Sequence, residues 1–512
     1  MKNYKNNTKM FGICLLILGI VAIFSFGINA TSAANSSSVY VSTHGNDDYD
    51  GLNATWTSGI NGPKATIKNA TGTVTSDGTV HIASGTYNES NIQINKNMNI
   101  IGENQKNTII NGQQSGNPIF TIASGINITI INLTLTNGTS WQDGGAIDNY
   151  GTLSISKSTF TNNSANRGGA IDNYGTLSVD TSTFINNTAN YDYGGAINNE
   201  NGGTLIVNKS TFRNNTASNH DLGAGGAIDN GSMATLTVNN STFTNNTANY
   251  DYGGGAIYNF DGTLTVDNST FTNNTATSGG GAIYNFDGTL TVKSSTFTNN
   301  SANRGGAIIN DYGGIVTVKF SRIVGNSAID IYNIGGSMNA LDNWWGTNFV
   351  GTNPQDAGRV NFTVTKWIVL TVTAKPQTIN DGDKSTVTAD LLHDNLGNYL
   401  NPVNGHVPDG ITVNFSSDGL GTINPETNNT TNGSTNTTFK GNFIGVSVVS
   451  ATVDQQTVTT NITNQLTPTN STTVNATTTT TKIPMQHTGI PIAGLILGIL
   501  SVLGGSVMSR KK

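Results

Sequence analysis

The 512-residue chain has one cysteine, Cys14, so no intrachain disulfide forms and no thiol pair is available for redox or zinc chemistry. Only 11% of residues are charged, and the net charge is −6. No basic stretch interleaves with aromatics, which excludes a nucleic-acid partner. Proline is scarce at 10 residues, while glycine reaches 61. Between the two ends no apolar run is long enough to cross a membrane, and no apolar positions recur at i, i+3, i+4 to mark amphipathic helices.

What the chain does have is repetition. A segment close to G-G-A-I-x-N-x-G-T-L-T-V-x-x-S-T-F-T-N-N-T-A occurs seven times. Its G-G-A-I core ends at Ile147, Ile171, Ile197, Ile228, Ile257, Ile283 and Ile308, with gaps of 24, 26, 31, 29, 26 and 25 residues. A period in the twenties marks a stacked array whose units touch only their neighbours. Gly, Asn, Thr and Ser disfavour helix. The alternation in Thr152-Leu153-Ser154-Ile155 has strand period. Each repeat therefore predicts three short strands, G-A-I-x-N, T-L-T-V and S-T-F-T-N, wound into a right-handed parallel β-helix.

Stacking puts like side chains above like. Phe160, Phe184, Phe212, Phe243, Phe271 and Phe297 are expected as one internal column, with Ile323 closing it. If each G-A-I isoleucine faces inward, so does the residue two further on. That residue is asparagine in every copy: Asn149, Asn173, Asn199, Asn230, Asn259, Asn285 and Asn310. Buried amides need partners, and a column of them supplies its own. Counting by two from the phenylalanines predicts a second internal column at Asn162, Asn186, Asn214, Asn245, Asn273 and Asn299, ending where Gly325 replaces asparagine.

The ends carry different signals. Lys2, Lys5 and Lys9 precede an apolar stretch from Phe11 to Ile28 and small residues at 29–34. That is the pattern of a signal peptide over 1–34, with an uncleaved anchor as the alternative. Residues 35–350 are assigned to the β-helix, with clear repeats over 143–328. Residues 363–465 carry alternating strands without the repeat and predict an Ig-like β-sandwich. Residues 466–487 form a Thr/Asn/Ser-rich stalk. Ile490 to Met508 has 19 residues without charge, enough for a transmembrane helix, and 509–512 is a basic cytoplasmic tail. The fold class is thus all-β between two membrane-directed segments, with the ectodomain at the cell surface.

The G-G-A-I…F-x-N-N repeats resemble those of chlamydial polymorphic outer membrane proteins. The wider layout resembles adhesin-like surface proteins of methanogenic archaea. The matching pieces are Tyr40-Val41-Ser42, Gly45-Asn46-Asp47, Asn343-Trp344-Trp345-Gly346, His406-Val407-Pro408-Asp409-Gly410 and Met485-Gln486-His487-Thr488-Gly489. The resemblance implies a cell-surface protein that binds glycans or other cells. The last motif also resembles a sortase signal.

Parallel β-helices also host polysaccharide lyases and glycosidases, so candidate chemistry must be placed. The outward residue after G-G-A-I is Asp148, Asp172, Asn198, Asp229, Tyr258, Tyr284 or Ile309. Asp148 and Asp172 fall on adjacent coils, at the separation of a retaining glycosidase pair, and the pair also has the donors for Ca²⁺. Periodic stacking produces that separation for any repeated Asp, and no histidine joins the two, so neither catalysis nor a cofactor is assigned to them. A ligand surface is expected instead at Tyr150, Tyr174, Tyr191, Tyr193, Tyr250, Tyr252, Phe260 and Phe286, where rings sit at turns beside carboxylates and amides. An array of this kind could equally be a passive envelope component. More than twenty N-x-S/T sequons follow residue 34. With the repeat sequons placed inside, glycosylation is expected outside the array, at Asn436, Asn470 and Asn475.

Overall fold

The computed structural model describes residues 36–467, except 192, 201, 219–223 and 250–251. The proposed signal peptide, most of the stalk, the 490–508 segment, the basic tail, Tyr250, Asn470 and Asn475 lie outside the described residues. Among the described residues no helix is long and apolar enough to cross a membrane.

The repeats build a parallel β-solenoid with one 12-stranded and two 10-stranded sheets, plus a strip of five two-residue strands. In the first clear coil the strands are Ile147–Asn149, Thr152–Ser156, Thr159–Thr161 and Ser164–Ala165. Equivalent residues pair between coils: Asn149 with Asn173, Leu153 with Leu177, Phe160 with Phe184, Ala165 with Ala189. Leu153 and Ile155 are buried while Thr152 and Ser154 are exposed, because successive residues of a strand face opposite sides.

Four internal columns of like side chains run along the array. The six phenylalanine rings stack at centroid spacings of 4.7 to 4.9 Å, with interplanar angles of 5° or less. Every one of these rings is fully buried. In the first amide column, Asn149 Nδ2 donates to Asn173 Oδ1 at 2.6 Å, and the chain of bonds passes through Asn199, Asn230, Asn259, Asn285 and Asn310 to Asn333.

The second amide column is displaced by one residue from the position that alternation predicts. Asn162, Asn186, Asn214, Asn245, Asn273 and Asn299 are exposed. The buried amides are their neighbours Asn163, Asn187, Asn215, Asn246, Asn274 and Asn300. Each of the first set has a left-handed backbone, with φ between +54° and +55°. That residue turns the corner after the Phe strand and resets which side the next residue faces. The column also continues past Gly325, because Asn300 Nδ2 donates to Asn326 Oδ1 at 3.0 Å.

The fourth column, of serines, was not anticipated. The serine of S-T-F is buried, and each Oγ accepts from the backbone N–H of the serine before it, from Ser158 through Ser182, Ser210, Ser241, Ser269 and Ser295 to Ser321. Its presence at that position in all seven repeats was the available signal.

The glycine pair before each A-I strand answers to close approach. A Cβ on Gly169 would lie 2.2 Å from Gly195 O and 2.6 Å from Thr188 N. At the N-terminal end a short helix, Ile67–Thr73, buries Ile67, Ala70 and Thr71. Its first turn is satisfied by Thr66 Oγ1 and by Glu89, whose two carboxylate oxygens accept from Ile67 N and Lys68 N.

Beyond the solenoid, a four-stranded antiparallel sheet and a five-stranded, mostly antiparallel sheet enclose a separate core. That core includes Leu370, Val387, Phe439, Val413, Phe415, Val449 and Ile462. The Trp344-Trp345 dipeptide joins the two bodies. Trp345 packs into the solenoid core and Trp344 into the second core. Trp344 Nε1 donates to Asp454 Oδ2 at 2.7 Å, and Arg322 pairs with the same carboxylate.

Candidate binding surface

The residue after a ladder asparagine ends the G-A-I-x-N strand or lies just past it, and side chains there face outward. Tyr150 and Tyr174 are exposed there and stack at 4.7 Å with an 11° interplanar angle. Three coils further on, Phe260, Phe286 and Tyr312 make a second outer stack, at 5.4 and 4.5 Å. Phe286 is half-buried between the other two. Glu200 and Gly231 occupy the corresponding positions between the two stacks.

Charge gathers at the first stack. Tyr174 donates its hydroxyl to Asp143 Oδ2 at 3.0 Å. Arg167 bridges Asp143 at 2.8 Å and Glu200 at 2.9 Å. Burial, then the nearby Asp172, Glu200 and Asp143 carboxylates, push the Tyr174 phenol well above its ordinary range. It therefore remains a hydroxyl donor at every physiological pH. Of the other predicted ligand-surface residues, Tyr191 and Tyr252 are exposed and Tyr193 is half-buried.

The column after G-G-A-I is not the open surface that alternation predicts. Asp172 is fully buried, Asp229, Tyr258 and Tyr284 are almost so, and Ile309 is at 0% exposure. These side chains do point away from the coil interior. However, the turns leading into the glycines bring Asp143, Arg167, Tyr193 and Tyr252 beside them. Tyr258, Tyr284 and Ile309 form a small apolar cluster of their own, and Tyr284 donates to Asp311 Oδ2 at 2.8 Å.

Asp148 and Asp172 pair directly across adjacent coils. Asp148 Oδ1 and Asp172 Oδ2 are buried without hydrogen-bond partners. Burial, reinforced by Asp143, raises the Asp148 carboxyl to about 8, and burial raises Asp172 well above the usual carboxylate range. Asp148 is therefore largely protonated near pH 7. A substrate cannot reach Asp172 to use the pair as nucleophile and acid. Among the described residues no group of three or more His, Cys, Asp or Glu is placed to hold a metal.

The raised Asp148 value has a stability consequence. The unfolded carboxyl ionises near pH 4, whereas the folded one holds its proton up to about pH 8. Its contribution is therefore complete below about pH 4 and declines as pH rises between these two values. Asp148→Asn should leave Tm unchanged near pH 4 and raise it by a few degrees at pH 8. A thermal series across that range checks it, and a pH-independent difference would contradict the assignment.

Some exposed rings escaped the sequence argument. Trp141 is 81% exposed, in the turn before the first G-G-A-I, and Trp56 lies exposed in the N-terminal cap region. The scarcity of tryptophan, with only five in the chain, was a signal that could have singled them out. Asn436 is exposed on the strand Ser434–Gly441.

Comparison with known proteins agrees with the repeat geometry. The family model of the Chlamydia polymorphic membrane protein repeat matches residues 157–174, 240–259, 268–285 and 294–311. No curated protein matches the chain. Among solved structures, domains 4 and 5 of the S-layer protein SbsC match with 17% identity, covering 21% of this chain and 55% of that one, at a TM-score of 0.14. The chain thus spans about half of that structure, and the TM-score is too low to relate the two folds. The matched segments each run from an S-T-F turn toward the next G-G-A-I strand or overlap it, so the chain carries polymorphic-membrane-protein-type repeats on a parallel β-solenoid.

Proposed function

We propose that this chain is an adhesin-like rod at the outer cell surface, a right-handed β-helix followed by an Ig-like spacer and held by a helix over 490–508. The polymorphic-membrane-protein-type repeats support an outer-surface location. The ligand is a glycan or another cell's surface. One observation carries this: two stacks of outward-facing rings on the coil, the first flanked by Asp143, Arg167 and Glu200. Flat aromatic faces suit the apolar face of a sugar ring, and the charged groups beside them supply hydrogen bonds to hydroxyls.

The test is retention of the ectodomain on immobilised bacterial and host glycans and on whole cells. Replacing Tyr150 and Tyr174 with Ser should reduce retention at least tenfold with the circular dichroism spectrum unchanged. A second variant with Tyr191, Tyr193, Tyr250 and Tyr252 as Ser reports on the loop rings. Unchanged retention in both would remove the proposal. Release of soluble sugar products would instead support a carbohydrate-active enzyme.

A further inference from the structure

We infer that the solenoid itself is the modified part of the molecule, with N-linked glycans carried on the outward column Asn162, Asn186, Asn214, Asn245, Asn273 and Asn299. The inference rests on the surface location proposed above. Each of these residues begins a sequon, completed two residues later by Ser164, Thr188, Thr216, Thr247, Thr275 or Ser301. All six asparagines are exposed, and none of the six hydroxyl residues is buried.

Backbone conformation alone does not account for the asparagines. The left-handed corner is open to glycine, as Gly325 demonstrates at φ +70° in the final coil. A second left-handed corner recurs between the T-L-T-V and S-T-F strands. There the residues are Lys157, Thr181, Lys209, Asn240, Asn268, Ser294 and Phe320, at φ between +44° and +54°. That corner accepts many residue types, whereas the corner after Phe keeps asparagine in six coils and a hydroxyl residue two places on. Mutual amide bonding is a weak alternative: the contact from Asn186 Nδ2 to Asn162 Oδ1 is long, at 3.4 Å, and solvent-exposed. The inner ladder already satisfies the buried amides through Asn163 and its equivalents.

The chemistry is glycosyl transfer from a sugar diphosphate donor by a host transferase. Asn Nδ2 attacks the anomeric carbon and a C–N bond forms. The C–O bond to phosphate breaks, the diphosphate leaves with the electron pair, and Nδ2 loses one proton to a base on the transferase. Adjacent acceptors lie about one strand spacing, ~4.8 Å, apart along the rod. That is too close for branched sugars side by side, so each molecule should be occupied on alternating coils.

The experiment is intact glycopeptide mass spectrometry on the full chain purified from its native host, with Asn436 as an internal reference. Sugar-bearing peptides at two or more of the six positions, with neighbouring coils rarely occupied together, are expected. Thr216→Ala should abolish the modification at Asn214 and leave that at Asn162 unchanged, while Thr216→Ser retains it. Modification at Asn436 with all six array positions bare would overturn the inference and leave the surface reading intact. Bare asparagines everywhere would overturn it and count against surface export as well.

Discussion

Phe212→Ala is expected to destabilise the solenoid by about 3–5 kcal/mol, the usual range for deleting a buried aromatic ring. Phe212 is fully buried and stacked between Phe184 and Phe243, at 4.7 and 4.8 Å. Its removal opens a void bounded on both sides by rings whose backbones are fixed in parallel ladders, so collapse is limited. Because each coil contacts mainly its neighbours, the loss should be local. Amide hydrogen exchange should accelerate most in the coils of Phe184, Phe212 and Phe243, and least around Ile100 and Ile323. Phe212→Leu, which refills most of the volume, should recover much of the loss. Uniform acceleration along the rod, or none, would mean that the rings do not form the column described.

The second large effect separates two adjacent asparagines. Asn215 Oδ1 accepts from Asn187 N at 3.0 Å and Asn187 Nδ2 at 2.9 Å. Its own Nδ2 donates to Phe184 O and Asn246 Oδ1, both at 3.0 Å. Asn215→Ala strips partners from several buried groups at once. At about 1–3 kcal/mol for each group left unsatisfied, the expected loss is about 3–6 kcal/mol. Asn214→Ala removes an exposed side chain and leaves alanine in the left-handed region, for a loss of about 1–2 kcal/mol. Asn214→Gly should cost less still, since glycine takes that conformation freely. Urea unfolding of the three variants checks the order. Asn214→Ala being the worse of the two alanine variants would reverse the inside-outside assignment.

These two residues also indicate what could be deduced from sequence alone. The Asn149 column was legible because no turn separates Ile147 from Asn149, so counting by two holds along one strand. Counting by two failed at Asn162 because its left-handed backbone ends the Phe strand. Alternation carries no information across such a corner, and the N-N doublet gives either asparagine an equal claim. Asp172 was misjudged for a different reason. Its side chain does leave the coil interior, but whether it meets water depends on the path of the turns before the glycines, and that path is set by long-range contact. The phenylalanine column and the paired T-L-T-V strands were readable because identical residues recur in every coil. The serine column recurs just as faithfully and was overlooked because serine is at home on either side of a strand. The burial of Trp344 and Trp345 in two different cores could not be read from two identical letters.

That dipeptide sets how the molecule would behave under tension. A pull on the second body cannot be absorbed by uncoiling a linker, because consecutive residues are embedded on opposite sides of the boundary. The junction would have to shear a whole indole out of one core, together with its Asp454 and Arg322 contacts, before any slack appeared. The boundary between the two bodies would hold its spacing until the indole is withdrawn and then give way abruptly, rather than lengthening gradually.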